Sequence, residues 1–330
     1  MENIRTIHSR YFEILEKKKI AKYLQCKQIP ASFKNSDSTK ELWKKHGFLI
    51  KNKKNYGTEQ EKSLLDLKIE LAYRIFQKCC FCERRCGIDR KKEIGNCKVK
   101  KSRIASEFLH IGEENILVPS YTVFFSGCTF KCVFCQNWDI SQEICGIYIE
   151  PSKLAKMIHE KRLQGAKNVN WVGGDPTPNL HYILKTIKKS KKNLPQVWNS
   201  NMYCSDETMN LLDGVIDLYL TDFKYGNNNC AKRMSKVDRY TEIIKRNHKL
   251  AYERGGMIIR HLVMPNHINC CSKPIIKWIS ENLPKATVNI MAQYRPKYNA
   301  CDYEDISRPI LKREFLEVKE YAKKLNICEI

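Results

Sequence analysis

No stretch of this 330-residue chain approaches the roughly 18 uninterrupted apolar residues of a membrane-spanning helix. The opening, MENIRTIHSRYFEILEKKKI, lacks the apolar core of a secretory leader. These two absences predict a soluble, cytoplasmic protein with no membrane partner. No internal repeat stands out. Acidic residues are scarce, 36 against 59 basic ones, for a formal net charge of +23. A balance of that sign suits nucleic acid, an anionic membrane surface or an acidic protein. The lysines recur along the whole chain, however, as at Lys185, Lys188, Lys189, Lys191 and Lys192. A solvated lysine-rich surface accounts for them, so nucleic acid is not the favoured partner.

Cysteine is abundant, with 16 residues. In a large chain without a leader, clustered cysteines point to metal or redox chemistry rather than to disulfides. Cys79, Cys82, Cys86 and Cys97 form one group, with Cys80 as a spare and Gly87 and Gly95 supplying turns. Four thiolates complete a tetrahedral zinc site or ligate an auxiliary iron–sulfur cluster, and spacing does not separate the two. Cys26, Cys145, Cys204, Cys230, Cys270, Cys271, Cys301 and Cys328 are scattered and read mostly as ordinary buried or half-buried residues. Cys128, Cys132 and Cys135 make a third set, C-x3-C-x2-C, with no fourth member. Three thiolates can hold three corners of an iron–sulfur cube and leave one iron open to a ligand.

Three zones follow along the chain. Residues 1–75 read as a polar, helical N-terminal extension, with helical spacing in LEKKKIAKYLQC and EQEKSLLDLKIELAYRIFQ and a loop-rich stretch between them. Residues 76–119 form a cysteine-rich, metal-binding segment. From 120 to 330, six short β-branched or aromatic runs alternate with amphipathic stretches. Strict alternation demands a parallel sheet with right-handed crossovers, and six units fall short of the eight of a closed barrel. The expected fold is α/β, a partial (β/α)6 TIM-like barrel of parallel strands behind a helical, cysteine-rich extension. In such folds ligands bind at the C-terminal ends of the strands. The three cysteines, Gly173-Gly174-Asp175, Asn199 and Asn201, Asp222 and Lys224, Arg260 and His261, and Gln293 and Tyr294 all fall there.

The stretch CTFKCVFC, with Phe134 before its last cysteine, resembles the signature of the radical S-adenosylmethionine (SAM) superfamily. VGGDPTP, WNSNMY, LTDFKY and IIRHLVMPN follow in an order similar to that of its glycyl-radical-activating branch, typified by pyruvate formate-lyase activating enzyme. The resemblance spans residues 120 to about 300. It implies a 4Fe–4S cluster on Cys128, Cys132 and Cys135. It also implies reductive cleavage of SAM to a 5′-deoxyadenosyl radical, which takes hydrogen from a protein, RNA or other substrate. The electron would come from a donor such as flavodoxin or ferredoxin. By the same resemblance Gly173, Gly174 and Asp175 approach the SAM amino group. Lys224 and Arg260 meet its carboxylate, Phe134 packs the adenine, and Asn199, Asp222 and His261 make further polar contacts. Asp175 stands where the family has Glu, one methylene longer. A strand-end ion pair competes as the role of Asp222 and Lys224, and a satisfied structural imidazole as that of His261. A zinc-dependent nucleic-acid-binding protein is the alternative from another class, but it leaves the alternating α/β part without a task.

Overall fold

The computed structural model describes residues 4–52 and 57–330. Positions 1–3 and 53–56 of the expected extension lie outside the described residues. Eight strands form one open sheet in chain order: β1 (Ile104–His110), β2 (Ser120–Phe125), β3 (Asn168–Gly173), β4 (Gln196–Ser200), β5 (Leu218–Asp222), β6 (Gly256–Leu262), β7 (Thr287–Met291) and β8 (Cys328–Glu329). β1 is antiparallel to β2, and every later pair is parallel. The six expected strands are β2 to β7. Helices Pro151–Leu163, Leu180–Lys189, Asp206–Leu212, Tyr240–Arg254 and Lys273–Asn282 supply the crossovers, and Lys312–Lys324 leads to β8. The architecture is the partial TIM-like barrel, with one strand added at each edge.

Alternation along the strands sets two faces. Outward side chains such as Val123, Phe125, Trp171, Ile259 and Val288 are buried in the large core shared with the helices. Burying one such side chain contributes ~1.5–3 kcal/mol. Inward side chains form two layers. Near the strand starts, Val197, Leu218, Leu220 and Ile258 pack with Tyr11 and Leu117 in a second core. One step further along, the inward positions turn polar: Asn199, Asp222, Arg260 and Asn289.

Tyr11 comes from helix Ser9–Leu15, so the N-terminal extension fills the lower interior of the barrel. Helix Leu64–Gln77 packs outside, against Leu180–Lys189. The loop-rich expectation between these parts is overturned over Thr39–Lys51, which is helical. Ser38 and Glu41 form a capping box there that satisfies the first free backbone amides. LEKKKIAKYLQC is also not one helix: the chain breaks after Leu15, turns through Lys17 at φ +62°, and resumes over Lys22–Gln28. A further helix, Asn228–Ser235, interrupts the β5–β6 connection, capped by Asn227 accepting from the Cys230 amide. Among the described residues, no helix is long and apolar enough to cross a membrane.

Candidate active site

A cavity of about 750 Å³ occupies the barrel interior above the apolar layer. That lies within the ~300–1,000 Å³ common for ligand pockets. Cys128, Cys132, Cys135, Phe134, Gly173, Gly174, Asn199, Asp222, Lys224 and Arg260 all line it, so most sequence-nominated residues do converge on one space. Asp175 and His261 do not reach it.

The cysteine loop follows β2 through Gly127, whose φ of +86° turns the chain sharply. Each of its three thiols has polar company. The Phe130 N–H donates to Cys128 Sγ at 3.3 Å, and Asn201 Nδ2 lies 3.8 Å from the same sulfur. Ser235 Oγ is 2.9 Å from Cys132 Sγ, and Ser141 Oγ is 3.2 Å from Cys135 Sγ. Ser235 and Ser141 escaped the sequence reading because no spacing ties them to the motif. Burial pushes the Cys128 thiol well above its usual range. Burial, then the Cys135 neighbour, push Cys132 up to about 11. Bound iron reverses that balance, since a coordinated thiol is deprotonated outright. Among the described residues no other cysteine lines the cavity. Three soft donors with hydrogen bonds to sulfur, facing open volume, fit an iron–sulfur cube with one free coordination position.

The two glycines after β3 are required by protein packing first. Gly173 has φ +131°, and a Cβ there would stand 2.1 Å from the Phe125 amide nitrogen. At Gly174 a Cβ would stand 2.3 Å from the Gly127 carbonyl oxygen. Their backbones press the end of β3 against the cysteine loop and still border the cavity. Asp175, expected near the SAM amino group, is buried in the wall and does not line the cavity. Its backbone amide donates to the Gly127 carbonyl, and its carboxylate accepts from Ser200 Oγ at 2.8 Å and Thr129 Oγ1 at 3.4 Å. Fully enclosed, it has a pKa raised to about 6 by burial. One methylene short of Glu, it ties the cysteine loop to β4 within the wall.

Lys224 and Asp222 pair at 2.7 Å on the cavity wall. Burial alone would lower Lys224, but Asp222 and the nearby Cys132 outweigh it and keep the ammonium charged. Arg260 lies on the cavity wall and is held there by acids. Its Nε and one terminal nitrogen each lie 2.8 Å from the two Glu114 oxygens, and it pairs with Glu113 as well. Two of its three nitrogens are thus engaged by acids of the β1–β2 loop, with Asn289 donating to Glu114 at 2.9 Å. His261 faces away from the cavity. Its Nδ1 is 2.8 Å from the Phe223 carbonyl and its Nε2 is 2.8 Å from Ser272 Oγ, and burial lowers its pKa to about 4. Adjacent strand residues point to opposite faces, so Arg260 and His261 could not both line one space. Phe134 borders the cavity with its ring edge-on to Tyr225 and Tyr294.

The Cys79–Cys97 group lies against the cysteine loop: a Cβ at Gly127 would stand 2.6 Å from the Cys97 carbonyl oxygen. The Gly87 amide donates to the Cys79 carbonyl at 2.8 Å and the Cys79 amide to the Ile88 carbonyl at 2.9 Å across a tight turn, with Gly87 at φ +70°. Among the described residues, no three thiols of this group all lie within 4.8 Å of one another.

A family model described as the radical SAM superfamily matches residues 122–279. An uncharacterized protein of Methanocaldococcus jannaschii, MJ0674, is 48% identical over 96% of this chain and 97% of its own length. Among solved structures, methylornithine synthase is 12% identical, covering 97% of this chain and 77% of that one at a TM-score of 0.48. Streptococcus suis SuiB bound to S-adenosylmethionine is 14% identical, covering 62% of this chain at a TM-score of 0.46. This chain spans about half of SuiB, 47% of its length.

Proposed function

Because this chain belongs to the radical SAM superfamily, we propose that its barrel cavity is where SAM meets a 4Fe–4S cluster held by Cys128, Cys132 and Cys135, and that the enzyme removes a hydrogen atom from a macromolecule. One observation carries this: three hydrogen-bonded thiols on one cavity wall, with no other cysteine lining it among the described residues. When bound, the cluster supplies one electron to the sulfonium of SAM, and cleavage gives methionine and a 5′-deoxyadenosyl radical.

The chain's own residues do the positioning. Hydrogen bonds from Phe130, Asn201, Ser141 and Ser235 to the sulfurs stabilise the more electron-rich state. Lys224, kept charged beside Cys132, suits the methionine carboxylate as a charge-assisted donor. Asn199 offers polar contact to the ribose, and Phe134 offers a ring face or edge to the adenine. Arg260 neutralises Glu113 and Glu114 in the wall, so its part is to hold the cavity's shape.

The order of strand-end motifs favours a protein substrate, with a glycyl-radical enzyme as the leading version. A second cavity of about 490 Å³ supports RNA as the runner-up: Lys98, Lys131, Lys236, Trp138, Tyr298 and Tyr303 line it. Cationic groups beside stacking rings are the equipment of single-strand binding. The Cys79–Cys97 group favours an auxiliary cluster over zinc, because a zinc tetrahedron needs sulfurs ~3.8 Å apart. Its place beside Gly127 suits electron delivery from flavodoxin or ferredoxin.

The test is anaerobic reconstitution with iron and sulfide, then dithionite and SAM. Formation of 5′-deoxyadenosine, and a changed electron paramagnetic resonance signal on SAM addition, are expected. Both should vanish in Cys132→Ala. Iron-loaded wild-type protein that yields neither would refute the reading. A stable glycyl signal on an added partner, against product formation on RNA, separates the two substrate classes.

A further inference from the structure

Four residues meet where the β5–β6 and β6–β7 connections touch. Cys230 Sγ lies 3.7 Å from His267 Nδ1, Cys270 Sγ 3.2 Å and Cys271 Sγ 3.8 Å, while the Cys270 and Cys271 sulfurs are 3.9 Å apart. All four ligand atoms lie within 4.8 Å of one another. With Zn–S of ~2.3 Å and Zn–N of ~2.0 Å, a zinc tetrahedron has edges of ~3.8 Å between sulfurs and ~3.5 Å from sulfur to nitrogen. We propose that Cys230, His267, Cys270 and Cys271 bind a structural zinc ion.

The surroundings agree with that assignment. His267 Nε2 lies 2.9 Å from Asp305 Oδ2, and Arg233 pairs with the same carboxylate. A carboxylate on the far nitrogen fixes the tautomer that leaves Nδ1 free to ligate, the usual arrangement behind a metal-bound histidine. The two loops also approach as closely as backbone permits: a Cβ at Gly226 would stand 2.5 Å from the Cys270 carbonyl oxygen. Cys270 and Cys271 sit in a wide turn, Ile268–Ser272, where the Ser272 amide reaches back to the His267 carbonyl at 3.1 Å. That widened pitch brings two consecutive thiols to one side of His267. Three thiolates and one imidazole are soft donors selecting zinc over magnesium or calcium, and a full set of four leaves no position for substrate.

The ion would join the β5–β6 connection to the β6–β7 connection, and from there reach the cysteine loop. Cys230 lies in helix Asn228–Ser235, whose last residue meets Cys132 Sγ at 2.9 Å. The carbonyls of Met234 and Ser235 accept from the amides of Val133 and Lys131 at 2.9 and 3.0 Å. One short helix thus runs from the zinc site to the cysteine loop.

The experiment uses the full chain, expressed with added zinc, purified anaerobically and loaded with iron and sulfide. Zinc, iron and sulfide are counted in wild type and in Cys230→Ala/Cys270→Ala. The expected result is one equivalent of zinc fewer in the variant with iron and sulfide unchanged. Equal zinc in both proteins overturns the proposal, as does wild-type protein with no zinc or with a Cys230–Cys271 disulfide in its peptide map. If the variant does not accumulate, zinc K-edge absorption of the wild type decides. A first shell containing a histidine nitrogen supports the site, and an all-sulfur shell overturns it. The outcome is independent of SAM cleavage, so failure here and failure of the radical chemistry are distinguishable.

Discussion

Ser235 and Arg260 show how much a single side chain's role depends on its neighbours. Ser235→Ala removes a hydroxyl 2.9 Å from Cys132 Sγ and leaves the ligand set whole. Iron content is expected to stay constant. The cluster potential should become more negative by on the order of tens of millivolts, the one-electron equivalent of a hydrogen bond worth ~1 kcal/mol. A redox titration followed by electron paramagnetic resonance checks this, and an unmoved potential counts against the contact. Arg260→Leu strands Glu114 among buried groups, and removing one partner of a buried pair costs ~3–5 kcal/mol. A urea titration should show that loss. If Arg260 served only as a cofactor ligand, stability would hardly change. At this scale the sequence was informative about which residues converge, because strand-end position alone nominated Asn199, Asp222 and Lys224. Strand-end position did not distinguish His261 and Asp175, which a strand's alternation and one missing methylene place within the wall.

Elements were legible where hydrophobic pattern and connection length agreed. β2 to β7 and their crossover helices alternate cleanly, and each strand is short and rich in β-branched or aromatic residues. β1 was hidden because IASEFLH follows a cysteine-dense segment and, at the sheet edge, buries only Ile104 fully. Helix Asn228–Ser235 was hidden because its sequence, NNCAKRMS, is polar and is anchored by tertiary contacts. The scattered appearance of Cys230, His267, Cys270 and Cys271 has the same origin: their ligand atoms come from two separate connections. Helix Leu64–Gln77 belongs to the barrel's own core rather than to a detachable segment. Leu71→Ala, at a fully buried position of that helix, is expected to cost ~2–5 kcal/mol. Unfolding should remain one transition when followed by both tryptophan emission and far-ultraviolet circular dichroism. A separate early transition would show that the extension folds on its own.

Across the whole molecule, buried histidines set the response to acid. Burial lowers His8, His248 and His261 each to about 4. The unfolded chain protonates them near pH 6.5. Their contribution is therefore complete above pH 6.5 and is lost as pH falls toward 4, where the unfolded state binds more protons. Each accounts for up to ~3 kcal/mol across that window. Urea midpoints of metal-free protein should fall steadily between pH 7 and pH 5, and a flat profile would contradict the buried, neutral assignment. At this scale too the parallel sheet was legible, whereas the insertion of Tyr11 into the barrel was not. The apolar residues of SRYFEIL carry no mark of whether they will pack on a helix or fill the barrel interior.

β8 ends the sheet without returning to β1, so the wall around the cavity is a clasp and not a ring. His110, at the end of β1, and Ile330, beside β8, both border the cavity from that unclosed side. A closed barrel would have to be threaded by a free end or entered from above by something narrow. For the macromolecular substrate proposed above, a clasp would fit over the middle of a polymer, so an internal loop would reach the cavity as readily as a terminus.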